Sequence, residues 1–323
     1  MALDIVIIIL GFVGLIWGAD KFVFGASALA RNLGISPMII GLTIVAFGTS
    51  APEIFSSAAS VIEDEPALAI GNAVGSNIFN IGIVLGIAAI ISPLKPPDTL
   101  FRKEIPALLF VTLVTGVLFA NYHIGPLDAL VLLLITLYFS ITLFKRRLES
   151  SKNEEFTEDL KEIEENIAGM GKLRASAYLF LGLVLLILSA EALVQAATSV
   201  ATSLGVTSTI MGLTVIALGT SLPELAATIT SGLKGHHELA IGNIFGSNII
   251  NILAVLPFPG LFAPYTIEPE LLTRDYATML VMTLVLALFC FRAIKQQKMI
   301  GRTYGVIFIL MYCGWFGLML VQI

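Results

Sequence analysis

The feature that most restricts the fold of this chain is a repeat of two long motifs. The segment GLTIVAFGTSAPE at residues 41–53 returns as GLTVIALGTSLPE at 212–224, and AIGNAVGSNIFNI at 69–81 returns as AIGNIFGSNIINI at 240–252. Both pairs are 171 residues apart, with no insertion between them. Self-similarity at a fixed spacing is the signature of a duplicated structural unit. The fold must therefore contain two equivalent parts.

The repeated unit is too apolar for a water-soluble domain. Of the 323 residues, 57% are hydrophobic and only 13% are charged. About 20 apolar residues cross a bilayer as a helix, so the chain is predicted to be an all-α polytopic membrane protein with ten spans. The spans are expected near residues 3–31, 37–62, 66–91, 104–122, 126–145, 174–204, 207–233, 238–262, 275–293 and 302–321.

The number of spans in each copy determines how the copies are related. Residues 1–145 and 174–323 each contain five predicted spans, and the acidic segment 146–173 joins them as a linker. Because five is odd, the second copy enters the membrane from the opposite side. Two inverted repeats of this kind are typical of secondary transporters, which bind their substrates near the midplane where broken helices of both repeats meet.

The basic residues predict the orientation. Lys and Arg concentrate at alternate connections, including the linker, and Arg274 is the one exception among the others. Cytoplasmic connections are enriched in these residues. We therefore expect both termini outside and the 146–173 linker in the cytoplasm.

The first motif places a carboxylate at a helix break inside a span. Pro52 has no N–H, so the carbonyl group of Gly48 loses its helical partner, and carbonyls from about Ala46 to Thr49 are expected to become free. A cation could satisfy them, with Glu53 supplying charge. The second copy repeats this arrangement at Ala217, Thr220, Ser221, Pro223 and Glu224.

The same residues also fit a helix-capping box, with Ser50 or Ser221 at the N-cap and Glu53 or Glu224 three residues later. In a membrane span, however, a charged side chain costs at least about 2.5–3.5 kcal/mol, whereas serine alone can cap a helix. We therefore favour a functional role for the glutamates, with which capping by the serines is compatible.

The second motif predicts a polar stripe on a helix. Asn72, Ser76 and Asn80 are four residues apart and share one face, as do their counterparts Asn243, Ser247 and Asn251. Oxygen ligands for a cation are favoured over interhelical hydrogen bonds for this stripe. The glycines of the motif are expected to allow close helix packing.

These groups are all oxygen donors, and the three histidines are expected in loops. Oxygen-only sites suit hard cations such as Ca²⁺. Two carboxylates balance one divalent ion or two monovalent ions, so Ca²⁺ and Na⁺ would compete for the same ligands.

The paired GTSAPE/GTSLPE and GNAVGSNIFN/GNIFGSNIIN motifs resemble the two alpha-repeats of the cation/calcium exchanger superfamily, and most closely those of its prokaryotic sodium/calcium exchangers. The resemblance implies Na⁺-driven Ca²⁺ transport by alternating access in the plasma (inner) membrane of a prokaryote. Spans one and six would move together across a more fixed core.

The resemblance also implies roles for individual residues. Glu53 and Glu224 would be central Ca²⁺ ligands shared with Na⁺. Further ligands would be Thr49 and Thr220, the carbonyls of Ala46 and Ala217, the serines Ser50, Ser76, Ser221 and Ser247 at flanking Na⁺ sites, and Asn80 and Asn251 at the middle position. Some relatives carry aspartate where this chain has Asn251, which weakens the case for K⁺ co-transport.

Other functions remain open or are disfavoured. A Ca²⁺/H⁺ antiporter could use the same glutamates as proton carriers, and a K⁺-dependent exchanger is a further variant. A channel is disfavoured by the repeat, and a serine hydrolase by the absence of histidine from the predicted spans. We expect no enzymatic activity, no cofactor, no nucleic-acid partner and no obligate protein partner beyond the lipid bilayer. Asp20 and Glu191 are not assigned to the site.

Overall fold

The computed structural model describes residues 2–150, 170–204 and 217–322. This part of the chain is helical apart from two very short strands. Its helices are α1 (Ala2–Leu33), α2 (Pro37–Thr49), α3 (Ala51–Ile62), α4 (Pro66–Ile91), α5 (Glu104–Phe119), α6 (Pro126–Ser150), α7 (Lys172–Ser203), α8 (Ala217–Thr220), α9 (Leu222–Leu233), α10 (His237–Phe262), α11 (Leu271–Lys295) and α12 (Arg302–Gln322).

The helices are those of a polytopic membrane protein. Seven of them are long and apolar enough to cross a bilayer, and the bent pair α2–α3 forms an eighth candidate span. The other two predicted spans fall on α5, which has 16 residues, and on α9, before which residues 205–216 lie outside the described part of the chain. Helix α6 continues to Ser150, into the predicted linker, of which residues 151–169 are also outside.

Burial separates a central group of helices from a peripheral one. In their most apolar stretches α4 is 72% buried and α10 is 89% buried, whereas α1, α6 and α12 are 22%, 17% and 17% buried. The peripheral helices present large apolar side chains outward, such as Phe12, Trp17 and Tyr138. This distribution suits a protein surrounded by lipid, and it leaves α4 and α10 as the core that positions polar groups.

Helices α1 and α7 pack against each other along their length and run antiparallel. A Cβ atom at Gly11 would meet Leu193, and one at Gly182 would meet Phe22. These two contacts are equivalent under the sequence repeat, because each glycine and each partner has its counterpart in the other contact.

Helices α2 and α10 approach each other closely at glycines. A Cβ atom at Gly242 would lie 2.6 Å from the Met38 carbonyl oxygen, and one at Gly41 would lie 2.6 Å from the Leu239 carbonyl oxygen. Close packing was the role expected for all four glycines of the second motif. It is confirmed for Gly242 and for Gly246, where an added Cβ atom would lie 2.6 Å from the Leu42 carbonyl oxygen. For Gly71 and Gly75 the expectation is wrong, because no described atom lies within 4 Å of such an atom.

Two short backbone pairings join loops at the helix ends, a detail that the prediction of an all-α fold did not include. Strand β1 (His123–Ile124) pairs antiparallel with strand β2 (Tyr265–Thr266). Leu94 and Ile300 form a second antiparallel bridge. These pairings satisfy backbone groups of loops that no helix can satisfy.

Candidate functional site

The site is built at two interrupted helices. Helices α2 and α3 meet at an angle of 44°, and Ser50 between them has φ −82° and ψ 5°. Ser221 has nearly the same conformation, φ −93° and ψ 8°, between α8 and α9. Each break lies two residues before a proline. Proline is tolerated in the first turn of a helix, so Pro52 and Pro223 are the second residues of α3 and α9.

Each break brings a glutamate into the protein interior. Glu53 and Glu224 lie in the first turns of α3 and α9, and each is 1% exposed. The two carboxylates are close enough to interact electrostatically. Because like charges in a dry interior repel strongly, this arrangement needs a cation or a bound proton to compensate the charge.

Each glutamate binds the serine of the opposite break. Ser221 donates its hydroxyl to Glu53 Oε1 at 2.9 Å, and Ser50 donates its hydroxyl to Glu224 Oε1 at 3.0 Å. The second carboxylate oxygens, both Oε2, are buried without a hydrogen-bond partner among the described residues. A buried anionic oxygen without a partner is costly, so both Oε2 atoms are available to a cation.

The crossed hydrogen bonds exclude the capping box. Ser50 and Ser221 occupy the N-cap positions of α3 and α9, but neither side chain caps its own helix. Each hydroxyl has one proton, and the opposite glutamate accepts it.

Further unpaired oxygens come from the central helices. Asn80 Oδ1, Asn251 Oδ1 and Ser247 Oγ are buried without a hydrogen-bond partner in the described part of the chain. Asn80 and Asn251 each begin a short π-helical turn, over Asn80–Val84 in α4 and Asn251–Val255 in α10. Such turns are rare and occur frequently at functional sites.

The other predicted site residues differ in their burial and in their hydrogen-bond partners. Thr49 is fully buried, and its Oγ1 lies 3.2 Å from Asn243 Oδ1. Ser76 is 6% exposed and lies 3.4 Å from Asn72 Oδ1. Thr220 is partly buried. Within the described part of the chain, no hydrogen bond joins Asn80, Asn251 or Ser247 to a glutamate.

The carbonyl groups differ from the prediction. The Ala46 carbonyl accepts the backbone N–H of Ser50 at 2.9 Å, so it is not freed by the break as expected. The reason is that the α2 hydrogen-bond pattern extends one residue beyond its last helical residue. The Thr49 hydroxyl also lies 3.4 Å from the Ala46 carbonyl oxygen, although it is closer to the Val45 carbonyl oxygen, at 3.1 Å. Ala217 begins α8, and its surroundings lie outside the described residues.

The first asparagine of each polar stripe makes hydrogen bonds between helices, which is the alternative that we did not favour for the stripes. Asn72 donates to Ser57 Oγ at 2.8 Å and to the Glu53 carbonyl at 3.1 Å. The counterpart Asn243 donates to Thr228 Oγ1 at 2.9 Å. These bonds attach the stripe-bearing helices α4 and α10 to α3 and α9, which carry the glutamates.

Sequence reasoning missed two buried asparagines. Asn77 and Asn248, which are 1% and 0% exposed, follow the serines of the second motif directly. They lie off the face defined by the spacing of four residues, so the periodicity did not select them. Their signal was the asparagine of each GSN triplet, at equivalent positions of the two repeats.

The donor set is one of oxygen atoms. No group of three or more His, Cys, Asp or Glu residues that could hold a metal ion occurs in the described ranges. His123 lies in β1, His236 precedes α10 and His237 is its first residue. Burial, together with Lys234 and His237, lowers the pKa of His236 to about 4, so this side chain is neutral at physiological pH.

Comparisons with known proteins agree on one family. The family model described as "Sodium/calcium exchanger protein" matches residues 3–145 and 175–321. The chain is 38% identical to inner membrane protein YrbG of Escherichia coli, over 95% of this chain and 94% of that protein. It is 31% identical to sodium/calcium exchanger MaX1 of Methanosarcina acetivorans, over 97% of each.

A solved structure has the same fold. The sodium-calcium exchanger NCX_Mj, soaked with 10 mM Na⁺ and zero Ca²⁺, superimposes with a TM-score of 0.81 at 32% identity, over 97% of both chains. MaX1 and NCX_Mj are exchangers, which are transporters and not enzymes. With buried carboxylate oxygens at two helix breaks, a matching fold and matches along nearly its whole length, the chain belongs to the sodium/calcium exchanger protein family.

Proposed function

We propose that the chain exchanges Na⁺ for Ca²⁺ across the membrane by alternating access, with the ions bound between Glu53 and Glu224. The observation that carries this proposal is the pair of buried carboxylates, each bound through Oε1 to the opposite serine and each with Oε2 unpaired. The fold shared with a sodium-calcium exchanger supports the choice of ions.

The ligand set is assigned by charge and position. Glu53 and Glu224 bind Ca²⁺ centrally and bind Na⁺ when Ca²⁺ is absent. The supporting oxygen ligands are Thr49, Thr220, the carbonyls of Ala46 and Ala217, the serines Ser50, Ser76, Ser221 and Ser247 toward flanking Na⁺ sites, and Asn80 and Asn251 at the middle position. Oxygen donors of this kind, without nitrogen or sulfur, suit both ions.

The two charges also explain why such a carrier exchanges ions instead of leaking. Without a cation, closing the site would place two carboxylates in a dry interior, at a cost of several kcal/mol for each. One Ca²⁺ or two Na⁺ neutralise them. The site therefore closes and reopens on the other side only when it is loaded, which couples the outward movement of one ion to the inward movement of the other.

We propose ten spans arranged as two inverted repeats, 1–145 and 174–323, joined by the 146–173 linker. Several equivalent contacts support this arrangement. The serine–glutamate bonds are exchanged when the two repeats are swapped, as are the Gly11–Leu193 and Gly182–Phe22 contacts. The family match is interrupted between residues 145 and 175, within the linker.

Helices α1 and α7 are the proposed moving pair. They pack antiparallel on each other, and their most apolar stretches are 22% and 28% buried, whereas those of α4 and α10 are 72% and 89% buried. A pair that is less buried than the core can slide across it at smaller cost than a core helix could. We place the protein in the inner membrane of a prokaryote, with both termini outside and the linker in the cytoplasm.

The proposal is tested by ⁴⁵Ca²⁺ uptake into proteoliposomes that contain the purified chain. An outward-directed Na⁺ gradient is expected to drive uptake, and equal K⁺ or H⁺ gradients are not. Uptake that follows only the proton gradient would identify a Ca²⁺/H⁺ antiporter, and a requirement for K⁺ together with Na⁺ would identify a K⁺-dependent exchanger. Liposomes without protein serve as the control for leakage.

A further inference from the structure

Asn77 links the two halves of the protein next to the proposed ion site. It lies on α4, directly after Ser76, and is 1% exposed. Its amide nitrogen donates to the Asn248 carbonyl at 3.1 Å and lies 3.5 Å from Met279 Sδ. Its amide oxygen accepts from Asn251 Nδ2 at 3.2 Å.

These contacts fix which way the Asn251 amide points. An asparagine side chain has one oxygen acceptor and one NH₂ donor on opposite sides of the amide. Because Asn77 accepts from the Asn251 nitrogen, the Asn251 oxygen faces the other way, where it is buried without a hydrogen-bond partner. With the reverse orientation an NH₂ group would face a cation and repel it.

The orientation of Asn77 is itself determined by its neighbours. Its NH₂ group lies against two acceptors, the Asn248 carbonyl and the Met279 sulfur. Turning this amide over would place its oxygen against the carbonyl oxygen and leave its NH₂ group facing the NH₂ group of Asn251. Backbone of α10 thus orients Asn77, and Asn77 orients Asn251.

The other repeat has no equivalent restraint. The counterpart of Asn77 is Asn248, which donates to the Ile244 carbonyl of its own helix at 2.7 Å. Its Oδ1 accepts no hydrogen bond among the described residues, so it does not hold Asn80, the counterpart of Asn251. Among the residues that the structure describes, the restraint therefore acts on one repeat only.

We infer that Asn77 is a positioning residue for cation binding, which holds the Asn251 amide with its oxygen toward the ion. This inference rests on the proposed function, since it takes Asn251 as a ligand. Residues that orient a metal ligand typically change metal affinity by about 10- to 100-fold when they are replaced. Both polar atoms of the Asn77 side chain are already bound to protein groups, so Asn77 would act through Asn251 and not as a ligand.

The test measures equilibrium binding of ⁴⁵Ca²⁺ to the purified full-length protein, which does not depend on the coupling ion. Asn77→Leu removes the acceptor at similar volume and is expected to weaken Ca²⁺ binding about tenfold. The matched control is Asn248→Leu, which removes a buried amide at the equivalent position and is expected to leave Ca²⁺ affinity within about twofold, since a lost local hydrogen bond affects mainly stability.

Asn77→Leu in an Asn251→Asp background distinguishes positioning of the ligand from a general structural effect. Both oxygens of a carboxylate accept, so its orientation no longer matters, and the loss caused by Asn77→Leu is expected to fall below about threefold. An equal loss in the two backgrounds, or unchanged binding by Asn77→Leu alone, overturns the inference. If Asn77→Leu does not fold, Asn77→Ala carries the same expectation.

The outcomes separate this inference from the function on which it depends. If the unsubstituted protein binds no Ca²⁺, the proposed function fails. If it binds Ca²⁺ and Asn77→Leu binds equally well, only the role of Asn77 fails.

Discussion

The two repeats make equivalent contacts at the centre of the protein but not at the contact between α1 and α9. At the centre each glutamate receives the serine hydroxyl of the other repeat, at 2.9 and 3.0 Å. At the contact, Lys234 at the end of α9 binds Asp20 of α1 at 2.5 Å. The equivalent positions of the other repeat carry Glu63 and Glu191, two acids that cannot form an ion pair.

This difference separates the residues that ion binding would require to be equivalent in the two repeats from those that can differ. An ion held between the two repeats would interact with ligands of both. A change in one central ligand would therefore leave the ligand of the other repeat without its counterpart. Residues at the edge of the proposed moving pair are not among the proposed ligands. They can differ between the repeats and can stabilise one conformation of α1 relative to the core without changing the site.

The largest expected effect follows from removing either central charge. Glu53→Gln and Glu224→Gln each leave a single buried carboxylate. One of the two negative charges that balance a divalent ion is then missing. Breaking a buried charge interaction costs about 3–5 kcal/mol, which corresponds to a loss of more than about 100-fold in Ca²⁺ affinity. Both variants are expected to abolish Na⁺-driven ⁴⁵Ca²⁺ uptake in proteoliposomes, and to similar extents.

Glu63→Gln is the matched control, because this glutamate follows the same helix as Glu53 but is exposed. It is expected to transport normally. Normal uptake by either central variant would refute the assignment of the site, and loss in only one of them would show that the centre is not equivalent in the two repeats.

The crossed hydrogen bonds predict a smaller, paired effect. Ser50→Ala removes the donor to Glu224 and leaves its own helix uncapped to the same degree as before, since the side chain is not a cap. This hydroxyl orients the Glu224 carboxylate, and the loss of such an orienting bond typically lowers metal affinity by about 10- to 100-fold, so Ca²⁺ affinity is expected to fall about 10-fold or more. Ser221→Ala should act equally through Glu53.

A double-mutant cycle on Ca²⁺ binding tests the direction of these bonds. Ser50→Ala should couple to Glu224→Gln and much less to Glu53→Gln, although Ser50 is nearer to Glu53 in sequence. Stronger coupling to Glu53 would instead favour the capping box.

The sequence was sufficient to predict the elements of the site because each follows from a local cost. A charged residue in an apolar span, next to proline, requires a break and a reason for the charge. Glu53 and Glu224 are accordingly buried at breaks. The repeat supplied the second glutamate at an equivalent position without any structural information.

The partners of these residues could not be predicted in the same way. Ser50 lies three residues before Glu53, and local spacing alone pairs the two, but the hydroxyl binds a glutamate 174 positions away. Spacing of four residues likewise selected the stripe that contains Asn80 and passed over Asn77. Contacts between repeats depend on how the helices cross, which periodicity within one helix does not contain.

The close approach of α2 and α10 gives a third prediction, on stability. A methyl group at Gly242 would lie 2.6 Å from the Met38 carbonyl oxygen, so Gly242→Ala has to push the two helices apart. Overpacking of this kind costs about 1–3 kcal/mol and is expected to lower the thermal unfolding midpoint in detergent. Gly314→Ala is the control in α12, because no described atom lies within 4 Å of the added methyl group. An equal decrease in both variants would mean that the cost is not one of packing at the centre.

The smallest effect is expected at the asymmetric contact, and it tests the contrast most directly. Asp20 is 39% exposed and binds both Lys234 and Lys21, so Asp20→Asn is expected to reduce stability by only about 0.2–1 kcal/mol. Glu191 accepts from Gln195 of its own helix at 3.2 Å, and Glu191→Gln preserves an acceptor there, so a smaller change is expected.

Thermal unfolding of both variants should be compared at low salt and at about 1 M salt, where exposed charges are screened beyond about 3 Å. A deficit of Asp20→Asn that disappears at high salt identifies the ion pair as its cause. Equal behaviour of the two variants at low salt would show that the edge, like the centre, is equivalent in the two repeats, and the comparison would fail.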